Sequence, residues 1–380
     1  DLLIGFSMSD FIQQLQSLVG DSYVLTSEDD LQAYGQDWSR LYQPDPLVVV
    51  KPANTSQVAA IVKLCQAHKI ALVPSGGRTG LSGGAVATNK ELVLSLDRLN
   101  QISDFNPMDR TLVCGAGVIT EQLQNFAVEQ GLYYPVDFAS AGSSQIGGNI
   151  ATNAGGIKVL KYGLTRDWVS GLTVVTSQGE ILELNNGLVK NATGYDLRHL
   201  MIGSEGTLGI VTEATMQLTT APQNPTVMLL AVEQLSDVSN LLQHFQSKLD
   251  LMAFEFFSQA ALEKVLAHRD LKAPFSAPAE FYVLLEFECS DETQMEKAFE
   301  VFEQAFEHGW LSDGLISQSH QQAEEMWQYR EGISESIAHY PPYKNDIAVK
   351  PSQVGEFLQA VDHFVATNYP SCENSWFGHI

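Results

Sequence analysis

A chain of 380 residues, 44% hydrophobic and 17% charged, has the composition of an ordinary globular protein with room for two or three domains. Its formal net charge of −24 leaves no basic stripe for a phosphate backbone and opposes docking on an anionic membrane. No apolar run is long enough to span a bilayer, and Cys65, Cys114, Cys289 and Cys372 include no Cys-x-x-Cys pair, so the cytoplasm is the expected compartment.

Residues 1–7, DLLIGFS, carry no basic segment or cleavage site and read as a non-native or disordered leader, with the fold starting at Met8. Phe11, Ile12, Leu15, Leu18 and Val19 then recur at helical spacing. LVVVKP (47–52) predicts a buried strand, and Thr55 or Ser56 a cap for a helix with Val58, Ile61, Val62 and Leu64 inward. A glycine loop leads to the strand LVLSL (92–96), and TLVCGAGV repeats the step from strand to helix after Thr120. LTVVTSQGEILELN predicts a hairpin with Gln178-Gly179 at its turn. Two prolines in APQNP (221–225) mark a domain boundary. Beyond them, VMLLAVE, MAFEFF and FYVLLEFE read as strands, and segments near 235–248, 258–267 and 292–308 as helices, a pattern for a second α+β domain with an antiparallel sheet. Glu286 and Glu288 share one face of FYVLLEFE and read as a solvated face. The chain stops at SWFGHI inside a predicted strand, so an incomplete C-terminus is expected.

The most concentrated stretch is DFASAGSSQIGGNIATNAGG (137–156), with five glycines, three serines and two asparagines. Glycine lets backbone N–H groups approach a ligand closely, which suggests a wall against a large, flat, polar-edged molecule; the alternative is a solvated loop. SGGRTGLSGG (75–84) lacks both the Rossmann and the P-loop spacings. Its backbone can still cradle a pyrophosphate, with Arg78 as a nearby cation; alone, it could equally be a surface loop. Further glycines at 203–209, and Gly194 beside Tyr195, favour one elongated ligand such as a dinucleotide.

Five segments, PSGGRTGLSGGAV, FASAGSSQIGGNIATNAGG, KYGLTRDWVSGLTVV, KNATGYDLRHLMIGSEGTLGIVT and WQYREGI with the later YKNDIAV, resemble the FAD-linked oxidases of the vanillyl-alcohol-oxidase or PCMH type. The likeness is to their D-2-hydroxy acid dehydrogenase branch, which acts on D-lactate, glycolate or D-2-hydroxyglutarate. It implies an α+β fold: a PCMH-type FAD-binding domain of two α/β subdomains over 8–221, then a substrate or cap domain over 222–380. It also implies that Ser75, Gly76, Gly77, Arg78, Thr79 and Gly80 wrap the pyrophosphate of FAD. Gly142, Ser143, Gly147, Gly148 and Asn149 would run along the pyrophosphate and isoalloxazine, with Thr152 and Asn153 beside them. Glu205, Gly206 and Ile210 would lie near the adenosine or ribityl part. No His stands between His68 and His199 and no Cys in either main loop, so non-covalent FAD is expected.

For the substrate, the planar fork of Arg330 suits a carboxylate, and the resemblance adds Ser334 and Lys344. Without the resemblance, Arg330 reads as a surface ion pair with Glu331 or Glu335. His379 matches the first histidine of a family segment that can hold a divalent metal such as Zn; the other ligands and the general base would lie beyond Ile380, impairing this chain. The expected reaction is oxidation of a small D-2-hydroxy acid by hydride transfer to FAD, with electrons leaving to an external acceptor, a quinone or an electron-transfer protein. A homodimer is the expected assembly; nucleic acid and membrane are not expected partners. Competing readings are a flavin oxidase for an alcohol or sugar, and a flavin-binding electron-transfer subunit without its own substrate site.

Overall fold

Uninterrupted Val and Leu runs become strands buried on both faces. In this computed structural model, which describes residues 8–185, 187–340 and 342–380, they join more exposed edge strands in three sheets; the expected leader, 1–7, lies outside the described residues. The chain divides into two units, one ending at Gly156 and resuming over Gly163–Ala221, the other made of Ile157–Tyr162 and Pro222–Ile380.

In the first unit, β1 (Val24–Leu25), β2 (Val48–Val50), β3 (Leu72–Ser75) and β4 (Leu92–Ser95) form a sheet in the order β1-β2-β4-β3. β2, β4 and β3 are parallel, with β1 antiparallel at the edge. The crossover from β2 to β3 is the helix Thr55–His68, which buries Val58, Ile61, Val62 and Cys65 against the sheet. Its cap is Asn54, one residue before the expected Thr55: the Asn54 side chain accepts from the Gln57 N–H at 2.9 Å. Asn caps a helix as well as Ser or Thr does, and Asn54 stands directly before the two residues expected to cap.

A second sheet contains β5 (Ile102–Asn106), β6 (Thr111–Gly115), β7 (Val169–Thr176), β8 (Ile181–Leu184) and β9 (Gly209–Gln217), in the order β5-β6-β9-β7-β8. All its pairings are antiparallel, because the β5–β6 and β7–β8 connections are too short for a crossover. The predicted turn is there, with Gly179 at φ 72°. Leu123 and Ala127 of the helix Thr120–Glu129, and Ile146 and Ile150 of the helix Ile146–Thr152, share the core of this sheet.

The second unit is organised on β10 (Pro225–Val232), β11 (Leu251–Ser258), β12 (Phe281–Glu288), β13 (Asp313–Ile316) and β14 (Phe377–His379), antiparallel in the order β13-β10-β12-β11-β14. Alternate residues feed two cores. Leu230, Phe254, Phe256 and Leu285 pack toward the helices Leu235–Gln246 and Glu292–Glu307, while Leu229, Ala253, Phe257 and Leu284 pack toward Gln259–His268 and His320–Glu331. With both faces covered, Glu286 is not on a solvated face as expected but 4% exposed, 3.3 Å from the Lys158 ammonium. Lys161 reaches Glu288 at 2.8 Å and Asp250 at 2.6 Å. These pairs, with Ile157 and Leu160 packed on the two cores, explain why Ile157–Tyr162 belongs to this unit.

Candidate functional site

The glycine loops of the first unit converge. A Cβ on Gly77 would lie 2.2 Å from the Ser143 carbonyl oxygen, and one on Gly76 3.7 Å from the Gly148 nitrogen. A Cβ on Gly206 would sit 3.1 Å from Pro74, and one on Gly84 3.4 Å from the Glu205 carboxylate. The Glu205 N–H donates to the Ala151 carbonyl at 2.8 Å, tying the 203–209 cluster to the helix Ile146–Thr152. Nothing lies within 4 Å of a Cβ built on Gly80 or on Gly148, so these two positions border open space. At Gly77 the two loops are therefore pressed together by a backbone contact only glycine permits, with room left beside Gly80 and Gly148.

The other expected cofactor residues divide by role. Ser75 ends β3 fully buried, its hydroxyl without a partner, and Thr79 is partly exposed. Gly142, Ser143 and Thr152 are exposed, and the Thr152 hydroxyl donates to the Gly148 carbonyl at 3.0 Å. Gly147 is buried, its N–H donating to the Ala116 carbonyl at 2.8 Å. Asn149 is buried too, its amide donating to the Thr120 hydroxyl at 2.7 Å. Asn153, at φ 49°, closes that helix and accepts from the Arg166 N–H at 3.0 Å. Gly206 and Ile210 line a cleft of about 380 Å³ with Val62, Cys65, Leu72 and Pro74. Burial pushes the Cys65 thiol up to about 12, which makes this wall neutral and unreactive.

Arg78 points away from the role of a free cation. Its guanidinium donates to the Gly76 carbonyl at 3.0 Å, lies 4.4 Å over the Tyr34 ring and is 4.0 Å from Asp97. Asp97 also accepts from the Gln145 amide at 2.9 Å and the Tyr34 hydroxyl at 3.0 Å, and is 3.1 Å from the Lys51 ammonium. Burial would raise the Asp97 pKa, but the hydrogen bonds from Gln145 and Lys51 and the charges of Lys51 and Arg78 prevail and hold it below the usual carboxylate range. Burial likewise works against the Lys51 charge, and the bonds to Tyr34 and Asp97 outweigh it, raising its pKa.

In the second unit, Arg330 is 8% exposed and lies 2.8 Å from Glu255, a fully buried carboxylate on β11. Its partner is thus a strand residue and not Glu331 or Glu335 next to it in sequence; Glu335 is held by Arg269. Glu255 also pairs with His379 through Nδ1 of the ring. The Arg330 guanidinium stands 5.0 Å from the Phe377 ring centre, and its Nε is buried without a partner. Ser334 is exposed; the buried serine of this turn is Ser336, whose hydroxyl has no partner. Lys344 lies exposed in the irregular segment 342–350. Sequence reasoning overlooked Glu255, although one carboxylate inside the apolar run MAFEFF is a feature that burial tolerates only with a partner. The metal role expected of His379 has no support, since no group of three or more His, Cys, Asp or Glu could hold an ion among the described residues.

Converging glycine loops beside open space and a cleft lined largely by apolar residues form a surface that suits an extended ligand. A family model described as "FAD binding domain" matches residues 46–185, and one described as "FAD linked oxidases, C-terminal domain" matches residues 221–380. A D-2-hydroxyglutarate dehydrogenase of Stutzerimonas stutzeri is 56% identical over 97% of this chain and 80% of its own length. One of Xanthomonas citri pv. viticola is 53% identical over 97% of this chain and 78% of its own. The fold resembles that of 4-ethylphenol oxidase from Gulosibacter chungangensis, with TM-score 0.74, 17% identity, and coverage of 100% of this chain and 82% of that one. The chain belongs to the FAD-linked oxidase family, in its D-2-hydroxy acid dehydrogenase branch. The residues present are compatible with such a cofactor: a Cβ added at Gly80 or Gly148 would enter open space beside the converging loops. Among the described residues, no helix is long and apolar enough to cross a membrane.

Proposed function

We propose that this protein oxidises D-2-hydroxyglutarate, or a closely related D-2-hydroxy acid, to the 2-oxo acid with non-covalent FAD. Bound FAD supplies the two-electron acceptor. The chain's part is to hold it, with the 75–80 and 142–149 segments along the pyrophosphate and the cleft at Pro74, Gly206 and Ile210 receiving the adenosine. Electrons then leave to a separate acceptor, a quinone or an electron-transfer protein.

The observation that carries the substrate class is Arg330, a buried guanidinium that keeps one donor unpaired after meeting Glu255. A buried donor calls for an acceptor, and a substrate carboxylate offers a planar one. Lys344 supplies a second cation for a dicarboxylic acid. The names of the two bacterial relatives support the same choice. The test is anaerobic mixing of the FAD-loaded protein with D-2-hydroxyglutarate, D-lactate, glycolate and a sugar, followed by visible absorbance. Bleaching by D-2-hydroxyglutarate first is the expected result. Bleaching by the sugar alone would overturn the reading.

A further inference from the structure

We propose that Asp97 is a positioning residue for FAD, a carboxylate that sets the two glycine loops at their working separation. The proposal rests on the FAD reading above and adds to it a residue outside every glycine motif. Asp97 follows β4, and its two oxygens divide the work. Oδ1 takes Gln145 from the second loop at 2.9 Å and faces Arg78 of the first loop at 4.0 Å. Oδ2 takes the Tyr34 hydroxyl at 3.0 Å and Lys51 at 3.1 Å, and Lys51 itself donates to Tyr34 at 2.9 Å. Loop one and loop two are thereby fastened to one point, where a Cβ on Gly76 would come 3.5 Å from the Gln145 amide oxygen. Arg78 adopts φ 56°, a left-handed conformation that a side chain rarely takes and that persists only when its surroundings enforce it. Its bond to the Gly76 carbonyl and its place between Asp97 and the Tyr34 ring are that enforcement.

Charge and geometry make opposite predictions here. Within this cluster, Lys51 and Arg78 against Asp97 leave one surplus positive charge. Removing the carboxylate would raise that surplus, so a purely electrostatic role requires FAD to bind Asp97→Asn more tightly. A positioning role requires weaker binding, because an Asn amide group puts N–H donors where donors already point. Asp97→Glu keeps the charge and moves the oxygens by one methylene, so positioning predicts weakening there as well.

The experiment is titration of apoprotein with FAD, read by flavin fluorescence, alongside melting of the apoproteins. The expected result is a Kd raised at least about tenfold in both variants, a loss of about 1.4 kcal/mol, while the apoprotein melts close to wild type. Unchanged or tighter binding by Asp97→Asn would overturn the proposal. If that variant fails to fold, Gln145→Leu decides, since it cuts only the tie to the second loop. Weaker FAD binding there supports the proposal, and an unchanged Kd rejects it. Wild-type apoprotein that does not bind FAD at all would instead reject the cofactor reading.

Discussion

Each unit holds a carboxylate at the centre of a polar cluster, and the two are built differently. Asp97 is partly open, its side chain 23% exposed, with two cations, a phenol and an amide around it. Glu255 is fully buried, with one guanidinium and one imidazole. A partly solvated carboxylate can gather cations cheaply, and what its cluster gains is mostly geometry. A buried one must be neutralised, because an unpaired charge inside a sheet costs several kcal/mol. The first centre is therefore expected to govern binding, and the second to govern stability as well as binding.

The largest way to break that contrast is Arg330→Met, which removes the guanidinium and leaves buried Glu255 with the His379 ring as its remaining partner. Urea unfolding followed by circular dichroism should show a loss of about 3–5 kcal/mol. Adding Glu255→Leu should recover most of it, and no recovery would show that the charge pair is not the cause. Next, Gly77→Ala forces a methyl against the Ser143 carbonyl and should cost about 1–3 kcal/mol of overpacking, read as weaker FAD binding and a lower melting temperature. Gly148→Ala, with open space at its Cβ, should leave the apoprotein as stable and weaken only the binding of FAD.

A smaller effect comes from Lys51→Met. At neutral pH it should cost about 0.5–1 kcal/mol, the size of a partly exposed ion pair. The sign of its pH dependence follows from both partners. The Asp97 pKa is depressed on folding, so its contribution is complete above the ordinary carboxylate range and disappears as pH falls through its folded value. The Lys51 pKa is raised, so its contribution is complete below the ordinary lysine range and disappears as pH rises through its folded value. The stability difference between wild type and Lys51→Met should therefore form a plateau across neutral pH and shrink at both ends; a difference that grew in acid would contradict the pairing. Smallest of all, Glu373→Gln removes an exposed pair, 2.9 Å from Lys264, and the urea unfolding midpoint should not move measurably; a clear shift would show that exposed pairs matter here.

How far the sequence carried depended on whether a feature was local. The helices near 235–248 and 292–308, the three long strands of the second unit and the turn at Gly179 were legible, because periodicity and turn chemistry are written in neighbouring residues. The glycine loops were legible as loops, and the structure brings the loops around Gly77, Gly148 and Glu205 together. Glu286 was misread because period two tells which residues share a face, not whether helices cover it. Asn54 was missed by one position because three good caps stand in a row.

By itself, then, the sequence determined many of the longer elements, the α+β class and the FAD-linked family, since each rests on patterns within short stretches or on motifs that keep their order. Only the tertiary structure decided who answers whom: Asp97 to Arg78 and Gln145, Glu255 to Arg330 and His379, Glu286 to Lys158. Those partners lie 19 to 128 residues apart in the chain, and a charge carries no mark of its distant counterpart. Burial, which makes each pairing compulsory, exists only once the sheets and helices have closed over them.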